Sequence, residues 1–416
     1  MDASHHQNTA APRALSPTWT QHVDEAIDRL FDRMVELRRH IHAHPEPSGE
    51  EQETSQHLYG LLSDEGFNAR IGPEGRGVVV DCGPENGRRI GVRADIDALK
   101  IQDRKTVPYR SQRPGVMHAC GHDAHSATLF GALLALKSVG SEGRLPWPVT
   151  VRGIFQPSEE TATGALEMIA YGALAGVEAI LAAHVDPTRP VGRIAIRPGV
   201  LTANCDAMCL AISGQGGHAA RPHESKDPIA AAAQLISTLY QFVPRATDSQ
   251  DAVVVTIGQV IGGENPNVIP EHIELRGTLR TLDQRVRQAT VEHVRQLARG
   301  ISEVSGTKIE VSFESGVGSV ENDPLLTRLI GDTAVDVVGE DNLEEILRPS
   351  MGSEDFAAYL GHVPGAMFRL GSGYAAGEST SLHTSNFDID ERAMKIGARI
   401  FARAVVAWSS PELNSY

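Results

Sequence analysis

Cysteine and aromatic residues are scarce in this chain: four of 416 positions are Cys, and 5% are Phe, Trp or Tyr. Cys82, Cys120, Cys205 and Cys209 are too few to staple a chain of this length, so no disulfide framework is expected and the cytoplasm is the expected compartment. Cys82 follows a run of valines, and Cys205 and Cys209 stand four apart on an expected strand; all three read as core. Long apolar runs are missing too, which argues against a membrane-spanning helix. A basic excess is also lacking. Lys+Arg 38 against Asp+Glu 53 gives a formal net charge of -15, and such a bulk surface suits neither nucleic acid nor an anionic membrane. The stretch from Met1 to Thr20 is polar and rich in Ala, Pro and His, without the charged start and apolar centre of a secretory signal. Residues 1–20 are expected to be a disordered leader.

What remains describes a soluble α/β protein of two domains. Hydrophobic residues make up 41% and charged residues 22% of the chain, and 416 residues exceed one ordinary core. Ile27, Leu30, Phe31, Met34 and Leu37 recur at helical spacing from about Thr20 to His42, and a second helix is expected from Glu51 to Gly66. Strands at 77–81 and 89–95 precede a helix from about His122 to Lys137, then strands at 148–155 and 179–184. Asp95, Glu159, Glu160 and His184 all fall where these strands are expected to end, which is where α/β sheets collect ligands. From about Leu201 the order changes to β-α-β-β-α-β, the ferredoxin-like signature. The expected division is a catalytic domain from 21–200 and 316–416, interrupted by an inserted lid over 201–315.

Chemistry concentrates between Met117 and His125, where His118, Cys120, His122, Asp123 and His125 crowd one short window. Cys120 and His122 stand one residue apart, so an extended loop would point both at one centre. Thiolate and imidazole suit an ion such as Zn²⁺, at about 2.3 and 2.0–2.1 Å. A helix N-cap at His122 and a buried filler at Cys120 is the bland alternative, and the neighbouring histidines weigh against it. The adjacent pair Glu159-Glu160 is weak evidence alone, since most such pairs are solvated. His184 and His383, each lone among apolar residues, are taken singly more often core than ligand.

Several segments together resemble the M20 metallopeptidase family, in its amidohydrolase branch (hippurate hydrolases, N-acyl-amino-acid deacylases and auxin-conjugate hydrolases). They are Arg38 to Glu46, Val92 to Leu99, Met117 to His125, Phe155 to Glu160, Ala183-His184-Val185, Gly216 to Ala220, Asn267 to Pro270, Gly352 to Phe356 and Leu382-His383. They occur in family order and span nearly the whole chain after the leader. The resemblance implies a zinc-peptidase-like catalytic domain, a mixed sheet flanked by helices, with a ferredoxin-like lid. It assigns Cys120, His122, Glu160, His184 and His383 to a two-metal centre in which Cys120 bridges. Zn²⁺ leads, with Mn²⁺, Co²⁺ or Ni²⁺ also compatible. Arg93 stands where other branches place a metal-binding histidine, so Asp95 is expected to lie behind the direct ligands. Glu159 is implied as the general base on a metal-bridging water, and His218, on the lid, as an oxyanion donor that can reach a partner subunit. Asn267, Arg280, Gly352 and Ser353 are implied as substrate contacts, Arg280 through its planar fork. A homodimer or homotetramer through the lid follows from the same resemblance.

The leading reading is a metal-dependent amidohydrolase that splits an N-acyl amino acid (acetyl, benzoyl or aryl-acyl) into a carboxylate and an amino acid. A dipeptidase, or an aminohydrolase releasing ammonia, would keep the metals and change the bond. A cysteine hydrolase with Cys120 as nucleophile is a different class, and it would survive chelation. A non-catalytic binding protein is disfavoured by the intact Glu159 and donor set.

Overall fold

Residues 18–374 and 380–412 are described by a computed structural model of the chain. In chain order its helices and strands open with α1 (Trp19–Ala43), α2 (Gln52–Asp64), β1 (Asn68–Ile71), β2 (Val78–Cys82), β3 (Arg89–Asp95), α3 (His122–Ser141), β4 (Thr150–Gln156) and α4 (Gly164–Ala170). Next come β5 (Val177–Pro190), β6 (Ile194–Ile196), β7 (Gly199–Val200), β8 (Asn204–Ser213), β9 (Gly217–His218), α5 (Pro228–Ala246), β10 (Val253–Ile261), β11 (Val268–Ile269) and β12 (His272–Thr281). The chain ends through α6 (Gln284–Ser305), β13 (Lys308–Val317), β14 (Glu321–Asn322), α7 (Pro324–Val338), β15 (Leu343–Glu345), α8 (Ala357–Leu360), β16 (Gly365–Gly373) and α9 (Arg392–Trp408). None of the described helices is long and apolar enough to cross a membrane.

The first helix starts within the expected leader. Thr18 Oγ1 accepts from Gln21 N while Gln21 Oε1 accepts from Thr18 N at 2.7 Å, a capping box that fixes the N-terminus of α1. Residues 1–17 of that leader lie outside the described residues. Val23, Ile27, Met34, Leu37 and Ile41 form the buried stripe of α1 and pack on α3, which is buried along nearly its whole length. The two helices approach closely at Gly131, where a Cβ would stand 2.4 Å from Met34 Sδ.

The larger sheet has the order β1-β2-β4-β3-β5-β16-β6-β15. Its middle strands β4, β3, β5 and β16 run parallel and are buried. From β3 the chain crosses to β4 on one side, and β5 then returns on the other. The reversal opens a crevice at the carboxyl ends of these strands. In register, Asp95 faces Gln156, and pairing of β3 with β5 stops at Arg93 and Ala182. His184, two residues on, therefore has no β3 partner beside it, although β5 continues to Pro190 rather than ending at His184. Strand β16 escapes a reading by alternation, because it is buried on both faces and carries Gly365, Gly371 and Gly373.

A second sheet, β10-β12-β8-β13, is antiparallel throughout and carries α5 and α6 on one face. Met208, Leu210, Ile212, Leu235, Leu275 and Val294 form its own core. Cys205 and Cys209 do share a face, but it is the opposite one from Met208 and Leu210. They are half-buried there rather than core, because the period of two sends the intervening residues to the helices.

A buried ion network ties the larger layer together. Arg38, fully buried, donates to Asp123 at 2.9 Å, Asp388 at 2.6 Å and Glu391 at 3.0 Å, so α1, the start of α3 and the approach to α9 share one guanidinium. Its proton is held more firmly than in water, since these carboxylates outweigh burial, which alone would loosen it. Replacing Arg38 by Met would leave the carboxylates of Asp123 and Asp388 buried without their cation. The loss expected is about 3–5 kcal/mol, read from urea unfolding of chelated protein. A loss under about 1 kcal/mol would show that the network is dispensable.

Candidate metal centre

The crevice receives its first donors from the turn between β3 and α3. Gly121 sits in the left-handed region at φ +99°, and a Cβ there would meet Val185 Cγ2 at 2.4 Å, so only glycine fits. This turn, rather than an extended loop, brings Cys120 and His122 together. The N-cap of α3 is Gly121, and His122 is its first helical residue. His122 Nδ1 lies 2.9 Å from Asp97 O and 3.0 Å from Asp97 Oδ1, which places the proton on Nδ1. Its Nε2 is buried with no hydrogen-bond partner among the described residues.

Strand β4 delivers the carboxylates. Ser158 takes φ +55°, an uncommon angle for a non-glycine residue, and swings Glu159 and Glu160 back over the strand ends. Ser158 is held there by Glu51, which accepts from its backbone N at 2.7 Å and its hydroxyl at 3.1 Å. Glu160 N donates to Asp97 Oδ2 at 3.0 Å, so one aspartate positions both His122 and Glu160. Glu160 Oε1 lies 3.3 Å from His383 Nε2, close enough for an ion pair that raises the proton affinity of the imidazole. His383, at φ +59°, and Ala162, at φ +60°, are further non-glycine residues beside the centre in a left-handed conformation.

Five side chains converge here. Cys120 Sγ stands 3.4 Å from Nε2 of His184 and 3.4 Å from Nε2 of His383, and His122 Nε2 is 4.0 Å from Glu160 Oε1. Two donor triplets result, Cys120-His122-His184 and Cys120-Glu160-His383, and the sulfur belongs to both. Ligands about 2.0–2.3 Å from a tetrahedral ion stand about 3.3–3.7 Å apart, which matches these spacings. His184 Nδ1 lies 2.7 Å from Val185 O, leaving Nε2 as the free lone pair, and burial holds the imidazole neutral. Against burial, Asp95 and Cys120 raise the His122 proton affinity well above normal. The pocket is thus electronegative enough to want a cation, and donor chemistry, spacing and orphaned atoms all fit divalent metal.

The other residues of the window play other parts. His125 Nδ1 is 2.6 Å from Asp95 Oδ1 and its Nε2 accepts from Val185 N, so neither nitrogen is free to ligate. His118 is buried away from the donors, with neither nitrogen hydrogen-bonded among the described residues and its pKa pushed down to about 3 by burial. Asp95, 3.7 Å from His122 Nε2, is engaged by Arg93 at 2.6 Å and by His125. Glu159 lies at the edge, its Oε2 4.0 Å from His122 Nε2. Burial first, then Glu354 and Asp355, raise its pKa well above the usual carboxylate range.

Above the donors lies a cavity of about 770 Å³. Arg280, Gly352 and Ser353 line it, and Arg280 Nη1 donates to Met351 O at 3.1 Å and Ser353 Oγ at 3.3 Å. His218 and Asn267 are not among its lining residues. They sit together on the two-stranded ribbon β9-β11, where Ala219 N donates to Asn267 O, and His218 is exposed. A reading of the sequence alone did not single out Asp97, Gly121, Glu51 or Arg369. Only the Asp95-x-Asp97 spacing offered a signal for the first.

Comparison with known proteins places these features in context. A family described as Peptidase family M20/M25/M40 matches residues 91–407. The N-acetylcysteine deacetylase of Bacillus subtilis is 38% identical over 382 residues, covering 91% of this chain and 98% of that one. Thermostable carboxypeptidase 2 of Saccharolobus solfataricus is 32% identical over 394 residues, covering 92% and 97%. Among solved structures, the Bacillus subtilis YXEP protein, a dinuclear metal-binding peptidase from the M20 family, matches with a TM-score of 0.78. It is 34% identical, with 92% of this chain and 99% of that one covered.

Removing the shared sulfur should empty the centre. Wild-type protein dialysed against trace Zn²⁺ or Mn²⁺ is expected to hold about two ions per chain by mass spectrometry, and Cys120→Ser fewer than about one. Equal metal content in the two would show that Cys120 is no ligand.

Proposed function

The chain belongs to peptidase family M20/M25/M40, and from that premise we propose that it is a metal-dependent amidohydrolase cleaving N-acyl amino acids to a carboxylate and a free amino acid. The observation that carries this reading is the sulfur of Cys120 common to two donor triplets, with the Glu159 carboxyl at the edge of the same cavity. Cys120, His122, Glu160, His184 and His383 are the residues that would hold two divalent ions, most readily Zn²⁺, with Mn²⁺, Co²⁺ or Ni²⁺ as alternatives. When bound, such ions acidify a water and polarise the scissile carbonyl.

The protein's own groups do the rest. Burial, then Glu354 and Asp355, raise the proton affinity of Glu159, which suits its carboxylate to act as a base. It accepts the proton of the attacking water as the C–O bond forms. It then hands that proton to the amide nitrogen as the C–N bond breaks, leaving a carboxylate and an amine. Arg280, fixed by Met351 and Ser353, offers a guanidinium to the substrate carboxylate, and Gly352 borders the same wall. The division into a catalytic body and a lid belongs to this proposal.

His218 and Asn267 complete the site from a second copy of the chain. Supporting this, β10 is an edge strand whose Val260 and Ile261 are exposed, with Ile229 and Val268 exposed nearby on α5 and β11. An apolar edge of that kind invites pairing. A dimer through this edge would carry the exposed imidazole of His218 to the neighbour's carbonyl oxygen.

Two experiments test the proposal. Glu159→Gln should keep its metal but lose about 10²–10⁴-fold in kcat on whichever of hippurate, N-acetyl amino acids and unblocked dipeptides the wild type turns over best. Retained activity would remove Glu159 as base. His218→Ala should also be nearly inactive with full metal. Mixed with Glu159→Gln under subunit exchange, it should recover about a quarter of wild-type activity, because half the dimers then hold one intact composite site. No recovery would place His218 within its own subunit or outside the reaction.

A further inference from the structure

The acidic groups lining the cavity are all committed. Glu160 faces the metal donors and Glu159 the reacting proton, Asp186 pairs with Arg189, and Glu354 pairs with Arg93. Three of its four arginines are not. Arg280 touches only a carbonyl and a hydroxyl, and Arg348 and Arg369 have no hydrogen-bond or carboxylate partner among the described residues. In a chain of net charge -15, a cavity whose uncommitted charge is positive stands apart from the bulk surface.

Arg369 is the most informative of the three. It lies on β16 in register with His184 and on the same face, so its guanidinium stands over the metal donors rather than on the lid. Most of the side chain is shielded from solvent. At Arg38 and Arg93 burial is outweighed by adjoining carboxylates, and each holds its proton more firmly than a free arginine. At Arg369 no carboxylate lies within salt-bridge distance among the described residues, and Glu354 and Asp186 act on it only from further off. Its guanidinium opens onto the cavity with no hydrogen-bond partner among the described residues, so its planar fork is free to meet an anionic ligand.

We propose that Arg369 reads a second anionic group on the substrate, so that the preferred N-acyl amino acid is a dicarboxylate: one carboxylate meets Arg280 and the other meets Arg369. This rests on the amidohydrolase reading above and names the substrate class for the same site. The second carboxylate belongs either to the side chain of the amino acid or to the acyl group. Both offer the flat, bidentate acceptor that a guanidinium fork fits.

The test compares metal-loaded wild type and Arg369→Met on N-acetyl-L-leucine, N-acetyl-L-glutamate and N-glutaryl-L-leucine. In wild type at least one dicarboxylate should exceed N-acetyl-L-leucine in kcat/KM by about 10-fold or more, and which one identifies the source of the second charge. Arg369→Met should lose about 10–100-fold on that dicarboxylate while N-acetyl-L-leucine stays within about threefold. A wild-type preference for N-acetyl-L-leucine, or equal losses on all substrates, would overturn the proposal. Metal content and melting temperature separate a structural role. The variant should keep its metal and melt no lower than wild type, since it sheds an unpaired charge, whereas a fall of more than about 3 °C would mark a structural arginine and overturn the assignment. Should no amide be hydrolysed by wild type, the amidohydrolase reading fails alone, and calorimetry still decides the role of Arg369. Tighter binding of glutarate than of butyrate by wild type, abolished in Arg369→Met, sustains it, and equal binding by wild type refutes it.

Discussion

The guanidinium of Arg93 is the interaction on which the centre depends. It is fully buried at the end of β3 and donates to Gln156 on β4, to Asp95 on its own strand, and to Glu354 and Asp355 before α8. Without it, the buried carboxylates of Glu354 and Asp355 would lose the salt bridges they make to Arg93. With it, the ends of β3 and β4 are locked in register and Asp95 is oriented toward His125. His125 in turn accepts from Val185 N beside His184. A single side chain thus sets the relative positions of three strand ends that carry donors. One charge does not neutralise three acids, however. Burial raises the Asp355 pKa to about 7 and also raises that of Glu159 well above normal, so proton affinity is left at the cavity edge, where a general base would be useful.

Around that anchor the chain accepts local strain. Ser158 and His383 both adopt left-handed backbone angles, at a cost of roughly 1–3 kcal/mol each. Each borders the donor set, and each is constrained from outside it. Glu51 grips Ser158 twice, and His383 N donates to Ala119 O at 2.8 Å. The turn at Gly121 reaches a similar angle without that cost because glycine has no Cβ. Donors from four separate segments therefore converge through short, over-determined turns, while the strands and α3 supply rigidity.

How far the sequence revealed this depended on how local each feature was. Periodic helices such as α1, and strands with clear flanks such as β3, could be read with their ends correct to within a residue, because the signals lie within the segment. The β-α-β-β-α-β order was legible for the same reason. Strand β16 was not, since burial on both faces erases alternation and its glycines mimic a loop. For the site, contiguous motifs drew attention to Cys120, His122 and the Glu159-Glu160 pair. His184 and His383 looked like core histidines until the resemblance to a family ordered them. Asp97 and Glu51 were missed because their role is to position others through contacts across 25 or more positions, as with Asp97 and His122. The crowding of histidines misled in part: only His122 among the three in that window presents a free nitrogen to the donors.

Arg38, Arg93 and Arg369 show why residue type alone does not disclose a role. All three are arginines set into or beside the same larger sheet, and composition treats them alike. The first two are saturated by carboxylates, so each holds elements together and offers nothing to a ligand. The third faces an open cavity with its hydrogen-bonding fork unused. Were a substrate carboxylate to balance its charge, that partner would come and go, as a structural ion pair does not. Specificity at such a site would then follow from which charges the protein leaves unanswered, while the metal donors and the general base would define only the bond that is broken.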